Sequence, residues 1–271
     1  MKAKNIILST GLALSAVLGI SSTAKAANFT SVFTPDPAVP TEDIFLNSIV
    51  QGSFSTSDFI FVEAAQIIKN VDALGPASTD RGLDANAPFD PNETPSAAEI
   101  AAYLGNNNLN NIIDAEETGE FELNVFFDDF VGSNPDDQDS LFFWERGGNS
   151  QLLVYALDTA GNIIAGSNSV LLDSRTWGYA GFDINTTEVG GAQRVYSQGL
   201  KLSQLGLGAN TTLAGLKLVA NTNFNGPDFK VVAARFGPTV VDVPEPTTII
   251  GLASVAGLAL VGRRRIKKSV V

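Results

Sequence analysis

The chain contains no cysteine and no histidine among its 271 residues, and it has only one methionine and two tryptophans. Without cysteine there is no disulfide, so hydrophobic burial must hold the fold even in an oxidising compartment. The two absences exclude a Ser-His-Asp triad, a Cys-His dyad and a zinc site built on His or Cys. Carboxylate chemistry and oxygen-ligated Ca²⁺ are the site chemistries that remain.

Basic side chains are also scarce, with 17 Lys and Arg against 29 Asp and Glu. Eight of the 17 lie in the two end segments, 1–26 and 244–271, and one acid lies there. The body, residues 27–243, therefore has nine basic and 28 acidic side chains, a net charge of about −19. Such a surface argues against a nucleic-acid partner and would attract divalent cations or cationic matrix components. Solubility of a secreted protein explains the same charge.

Residues 1–26 have the three parts of a secretory signal peptide in the usual order. Two early lysines precede the apolar run 6–20, and Ala24-Lys25-Ala26 follows as a cleavage site of the small-x-small type. We expect Ala27 to be the first residue of the mature protein.

The segment 244–271 combines three features. It opens with Pro244-Glu245-Pro246, continues as the apolar stretch 247–262 and ends in the basic tail 263–271, which starts with Arg263, Arg264 and Arg265. A transmembrane helix needs about 20 residues, so this predicted helix is at the short limit. The positive-inside rule leaves the basic tail in the cytoplasm and orients the body outside.

The Pro-Glu-Pro motif, the short helix and the run of three arginines together resemble the PEP-CTERM signal that bacterial exosortases recognise and cut. The resemblance covers about a tenth of the chain. It implies two partners, exosortase and the inner membrane, and cleavage near the motif. It also implies a transient inner-membrane anchor, followed by a place at the cell surface or in the extracellular matrix.

The body reads as a single all-β domain. In the segment 120–127, Phe and other apolar residues alternate with polar ones, as in a half-buried strand. Many short strands separated by turn residues indicate a β-sandwich, jelly-roll-like. A parallel β-solenoid would need a regular repeat, and none is visible. The Pro- and Thr-rich residues 27–43 are interpreted as an exposed leader.

One part of the body departs from this pattern. Residues 72–119 are rich in Asp, Asn, Pro and Gly and are interpreted as an insertion between strands. Ser96 and Glu99 have the spacing of a capping box, which predicts a short helix that ends at Gly105. The fold prediction is therefore a sandwich with a short helical insertion, between a signal peptide and a sorting helix.

Acidic residues gather after the predicted strand 120–127. Five of them fall within a dozen residues that read as a loop: Asp128, Asp129, Asp136, Asp137 and Asp139. Bound Ca²⁺ would relieve their mutual repulsion, although the spacing is not that of an EF-hand. A solvated acidic turn explains them equally well. A weaker set of oxygen ligands comprises Asp80, Asp84, Asn86, Asp90, Asn92 and Glu93.

The most distinctive segment of the body is the aromatic run from Phe142 to Arg146. Period-2 alternation places Phe142 and Trp144 on one face of a strand and the intervening Phe143 on the other. One face is core, and the other is either a second sheet contact or an aromatic platform for sugar rings. Trp177 has the same two interpretations. Glu145 and Arg146, at the strand end, are candidates for an ion pair.

Two segments, 141–147 and 223–229, are similar to segments of exosortase-dependent cyanobacterial surface proteins. That resemblance implies a surface or matrix location and no assigned activity, so it assigns no role to any residue.

Together these features predict an exported, exosortase-processed, non-enzymatic protein of the cell surface or of a biofilm exopolysaccharide matrix, without a cofactor. One alternative is a Ca²⁺-dependent carbohydrate-binding module. Another is a glycan hydrolase that uses two carboxylates, for which Glu120 and Glu122 share a strand face with Glu145 nearby. A sequence this acidic offers such pairs by chance.

Overall fold

The computed structural model describes residues 28–70, 77–116 and 119–236, and the predicted signal peptide and sorting helix lie outside these ranges. Fifteen strands and a short α-helix, α1 (Ala97–Leu104), form this part of the chain. The strands are β1 (Thr30–Thr34), β2 (Phe45–Gln51), β3 (Phe54–Thr56), β4 (Phe59–Ile60), β5 (Val62–Asn70), β6 (Ala77–Asp80), β7 (Ile112–Ala115), β8 (Phe121–Val131), β9 (Leu141–Arg146), β10 (Leu152–Leu157), β11 (Val170–Leu172), β12 (Gly178–Ile184), β13 (Gln193–Leu200), β14 (Leu213–Ala220) and β15 (Phe229–Ala234).

The strands build three antiparallel sheets. A five-stranded sheet has the order β11-β10-β14-β8-β5, and a seven-stranded sheet has the order β12-β13-β9-β15-β7-β6 with β4 also paired to β15. A three-stranded sheet has the order β1-β2-β3. The prediction of an all-β sandwich is confirmed.

The main core lies between the five-stranded and seven-stranded sheets. The inward residues of β8, which include Phe121, Leu123 and Val125, are buried here, as the alternation in the sequence predicts. Phe143 of β9 and Val231 of β15 meet them from the seven-stranded sheet. Helix α1 and the 3-10 helix Leu202–Leu205 add residues to the same core.

A second core lies on the other face of the seven-stranded sheet, under the three-stranded sheet. Phe142 and Trp144 of β9 point to this face, and the ring of Phe29 packs edge-on against them at 4.9 and 5.6 Å between centroids. The indole Nε1 of Trp144 donates to Ser31 Oγ at 2.9 Å. The seven-stranded sheet is therefore the middle of three layers, which explains why all six residues of β9 are buried.

The interpretation of 27–43 as an exposed leader is wrong. β1 lies inside this range and pairs antiparallel with β2, from Thr30 opposite Val50 to Thr34 opposite Phe45. The segment has few apolar residues, so its pattern does not show a strand. What makes it one is a partner strand and an aromatic face of the middle sheet, and neither is visible in local sequence.

Helix α1 begins and ends as the sequence predicts. Ser96 Oγ accepts from the backbone N–H of Glu99, and the Glu99 carboxylate accepts from the backbone N–H of Ser96 at 2.7 Å. The C-cap is Gly105. The surrounding segment 72–119 also contributes β6 and β7 to the middle sheet. Within the described ranges no helix is long and apolar enough to cross a membrane, and the predicted helix 247–262 falls outside them.

The layering predicts how the tryptophans respond to a quencher. Trp144 and Trp177 are only 1% and 3% exposed, and the chain has no other tryptophan. In Trp177→Phe, the remaining emission comes from Trp144 alone, and iodide should barely quench it until urea unfolds the chain. Quenching of the native variant as strong as that of the unfolded variant would contradict burial beneath the three-stranded sheet.

Candidate functional site

A buried arginine, Arg146, lies at the end of β9 and is 4% exposed. The sheet register explains its surroundings. Phe229 of β15 is paired with Glu145 of β9 and with Ile113 of β7. Asp228 precedes Phe229 by one residue, so the antiparallel registers place it opposite Arg146 on one side and opposite Asp114 on the other.

Three carboxylates surround the Arg146 guanidinium, and we call these four residues the arginine cluster. Nη2 of Arg146 lies 2.5 Å from Asp114 Oδ2 and 3.0 Å from Asp228 Oδ2. Nη1 lies 3.1 Å from Asp80 Oδ2 and also donates to the hydroxyl of Thr186. One cation thus ties β9 to β6, to β7 and to the start of β15.

Local backbone geometry holds the carboxylates in place. Asp80 also accepts from the backbone N–H of Thr187 at 3.1 Å and of Arg81 at 2.7 Å. Asp228 follows a turn in which Gly226 has φ of +43° and lies against the carbonyl of Ala115. A Cβ at Gly226 would collide with that carbonyl, so the approach of this turn to β7 requires glycine.

The arginine cluster has three carboxyl groups and one guanidinium. This excess of negative groups raises the pKa values of titratable groups in and beside the cluster. Burial and the neighbouring Asp114 raise the pKa of Asp228 well above its ordinary value. Glu188 is exposed as a residue, but burial of its carboxyl and the nearby Asp114 raise its pKa to about 9. Burial opposes the charge on Arg146, yet Asp228, Asp114 and Asp80 raise its pKa overall.

A cation could in principle lie beside this cluster. Asp80, Asp114 and Glu188 each offer an oxygen within 4.8 Å of the others, the only such group of three in the part of the chain that the structure describes. Carboxylate oxygens suit Ca²⁺ and Mg²⁺. However, Arg146 already occupies an oxygen of Asp80 and of Asp114. The guanidinium thus compensates part of the negative charge, as in a structural cluster.

Glu145 lies on the opposite face of β9 and forms no ion pair with Arg146, since successive side chains of a strand point to opposite faces. Its carboxylate accepts from the Ser150 hydroxyl at 2.7 Å and from the backbone N–H of Gly148. Complete burial raises the pKa of Glu145 to about 8. Burial therefore favours the neutral form of this core residue.

The five aspartates predicted as a calcium loop are not brought to one place. β8 continues to Val131, so Asp128 and Asp129 belong to the strand. Arg235 forms ion pairs with both of them and with Asp58. Their charge is thus partly compensated by an arginine.

The other three aspartates have separate surroundings. Asp136 is exposed, and Asp137 pairs with Lys201 at 2.9 Å. Asp139 is buried and accepts from the side-chain amides of Asn28 at 2.7 Å and Gln51 at 2.6 Å. In the weaker predicted set, Asp80 joins the arginine cluster, while Asp84, Asn86, Asp90 and Glu93 are exposed and Asn92 pairs with the Thr79 backbone.

The two tryptophans do not form a platform for sugar rings. Both indoles are buried, and each N–H has an internal acceptor: Ser31 Oγ for Trp144, and the Ser150 carbonyl for Trp177 at 3.2 Å. The second sheet contact, the alternative for Trp144, is what the structure shows.

The carboxylates considered for a hydrolase are also separated. Glu120 pairs with Lys69, and Glu122 pairs with Lys217 at 2.5 Å. Glu145 is fully buried in a different sheet.

Sequence reasoning missed two partners of Arg146, Asp114 and Asp228, and it also missed Glu188, which lies next to Asp114. One signal was present: an arginine in an apolar strand requires a buried carboxylate. The two segments 141–147 and 223–229, noted for their resemblance to cyanobacterial surface proteins, meet at this point through Arg146 and Asp228. The resemblance itself stays a prediction.

Removing the guanidinium should be costly because it leaves buried carboxylates without a partner. Arg146→Met is expected to lower the free energy of unfolding by about 3–5 kcal/mol. The matched control is Arg175→Met, since Arg175 pairs with Asp173 at 2.8 Å but is 87% exposed, and it should leave the free energy of unfolding nearly unchanged. Urea unfolding of both variants measures the difference, and equal losses would show that the arginine cluster is not a stabilising centre.

Titration of Glu145 should lower the free energy of unfolding as the pH rises. Its folded pKa of about 8 exceeds the ordinary 4.5, so between these values the unfolded chain loses a proton that the folded chain keeps. This contribution to stability is complete below about pH 4.5 and disappears as pH rises through about 8. Glu145→Gln should match the wild type near pH 5 and exceed it by at least about 1 kcal/mol at pH 8 in urea unfolding. Parallel pH profiles would contradict this assignment.

Comparison with protein families matches residues 242–265 to the PEP-CTERM protein-sorting motif. The match contains Pro244-Glu245-Pro246 and Arg263 to Arg265, which lie outside the described ranges. Comparison with curated proteins and with solved structures gave no match. The match agrees with the order of motif, apolar stretch and arginines in the sequence. The chain therefore carries a PEP-CTERM sorting motif at its C-terminal end, which supports a protein that exosortase sorts.

Proposed function

We propose that this chain is a non-enzymatic protein of the cell surface or biofilm matrix, whose β body is displayed after exosortase has cut its tail. The observation that carries the proposal is the sorting motif at 242–265. The motif implies recognition by exosortase, export with transient membrane anchoring, and sorting to the surface. The matrix role and the lack of enzymatic activity are the further steps proposed here.

The position of the motif supports display of an intact body. β15, the last strand of the described body, ends at Ala234, ten residues before Pro244. Within the described ranges, the buried residues of the two cores end at Ala234. Cleavage near 244–246 would thus remove the predicted helix and basic tail without opening the core.

The chemistry of the described surface supports a binding or structural role. The carboxylates considered for hydrolysis are paired with lysines or buried, as described above. With a net charge of about −19, the body would be repelled by anionic lipid head groups, which favours its release from the membrane once the tail is cut. The predicted signal peptide 1–26 would begin the same route by directing the chain into the export pathway.

A change in the basic tail tests the sorting step. Simultaneous replacement of Arg263, Arg264 and Arg265 by Gln should leave the chain uncut and in the membrane fraction, because the motif loses its three arginines. Mass spectrometry of the protein from the native host measures both ends of the mature chain. The matched control is Arg175→Gln, which removes an exposed arginine of the body.

In the wild type and the control, we expect peptides that stop before the arginines and start at Ala27. Extracellular protein that still carries the arginines, or identical processing in the triple variant, would contradict the proposal.

A further inference from the structure

A polar cleft of about 700 Å³ lies beside the 3-10 helix Leu202–Leu205. Its lining contains an unusual number of side-chain amides and no aromatic or large aliphatic residue. The amides belong to Asn28, Gln51, Gln138, Gln198 and Gln204. Asn28 and Gln51 use both groups of their carboxamides internally, whereas Gln138, Gln198 and Gln204 each use one of the two within the described residues. The remaining donors and acceptors suit the hydrogen-bonding pattern of neighbouring sugar hydroxyls.

One wall of the cleft is held rigidly. The buried Asp139 carboxylate accepts from the amides of Asn28 at 2.7 Å and Gln51 at 2.6 Å, and Gln51 Oε1 accepts from the Asp139 backbone N–H at 3.0 Å. Asn28 Oδ1 accepts from the backbone N–H of Gly199 at 3.0 Å. Gly199 is required here, since a Cβ would strike the Asp139 carboxylate. These contacts fix the wall before any ligand arrives, which lowers the entropy cost of binding.

The cleft continues onto an aromatic surface along β13. Tyr196 lies two residues before Gln198, so both side chains are on the same face of the strand. Tyr179 of β12 is paired directly with Tyr196, and the two rings meet edge-on at 6.1 Å between centroids. Both tyrosines are half-buried, so part of each side chain is open to solvent. Gly148 lies against the Tyr196 ring and leaves no room there for a side chain.

Most charges along this surface lie near a charge of opposite sign, unlike those of the body as a whole. Lys201 pairs with Asp137 at 2.9 Å at the edge of the cleft. Arg194 lies over the Tyr179 ring at 5.2 Å and is opposite Asp183 in the strand register. The remaining carboxylate of the cleft, Asp139, is buried and accepts from two amides. A surface of this kind, with amides and half-buried tyrosines, favours a ligand that carries hydroxyls and no charge.

We propose that this surface, which we call the amide–tyrosine strip, binds a neutral polysaccharide. The amides of Gln138, Gln198 and Gln204 hold the hydroxyls, and the exposed parts of Tyr179 and Tyr196 contact the apolar faces of sugar rings. The strip would retain the displayed protein in the exopolysaccharide layer, and that biological setting rests on the proposed function. Binding itself does not depend on sorting.

The test measures migration of the full-length chain, in non-ionic detergent, through native gels that contain a polysaccharide. The neutral probes are dextran, galactomannan and the neutral exopolysaccharide fraction of the native host, and alginate is the anionic probe. We expect retardation in at least one neutral gel and none in alginate. The double variant Gln198→Ala/Tyr179→Ala should weaken the apparent affinity at least about five-fold.

The matched control is Gln66→Ala/Tyr155→Ala, which removes an exposed glutamine and a half-buried tyrosine from the five-stranded sheet. It should migrate like the wild type. If the strip variant melts at a lower temperature, Gln138→Ala, on the loop beside the cleft, replaces it. No retardation in any neutral gel, or equal losses in the strip and control variants, would overturn the proposal. Because the proteins are purified, neither result depends on exosortase, whose role the arginine replacement tests separately.

Discussion

Burial of one sheet on both faces is the constraint on which the rest of this structure depends. The seven-stranded sheet has the main core on one side and the smaller aromatic core on the other. Its central strands β9 and β15 are buried at every position, so any polar group they carry must find an internal partner. Arg146 at the end of β9 meets this condition through three carboxylates, and Glu145 meets it through the Ser150 hydroxyl and the Gly148 backbone N–H.

The same constraint explains a fold without disulfides. The chain has no cysteine, and hydrophobic burial is divided between two cores that share the middle sheet. The three-stranded sheet is what makes the second core possible, because it covers Phe142 and Trp144. The arginine cluster then ties together strand ends that are far apart in the sequence, at a place where apolar packing alone would leave charges unpaired.

The sequence predicted those strands and helices that depend on residues close to one another in the chain. The alternation in β8 and the capping box of α1 are of this kind, because a strand face and a helix N-terminus depend on neighbours a few residues away. β1 was missed because its partners are β2 and the aromatic face of the middle sheet. Arg146 was noticed, but Asp80, Asp114 and Asp228 come from three other segments, and only the sheet register brings them to it. The sorting motif could be recognised without knowledge of the fold, since its residues are contiguous in the sequence.

The place of β15 in the sheet has a consequence for the timing of folding. β15 is the last strand of the described body, yet it lies between β9 and β7 in the interior of the seven-stranded sheet. Pairing there is non-local, and it cannot start until the chain has emerged from the export channel as far as Ala234. The sorting segment follows almost immediately. Folding of the body therefore cannot finish before the chain just ahead of the sorting motif at 242–265 has emerged.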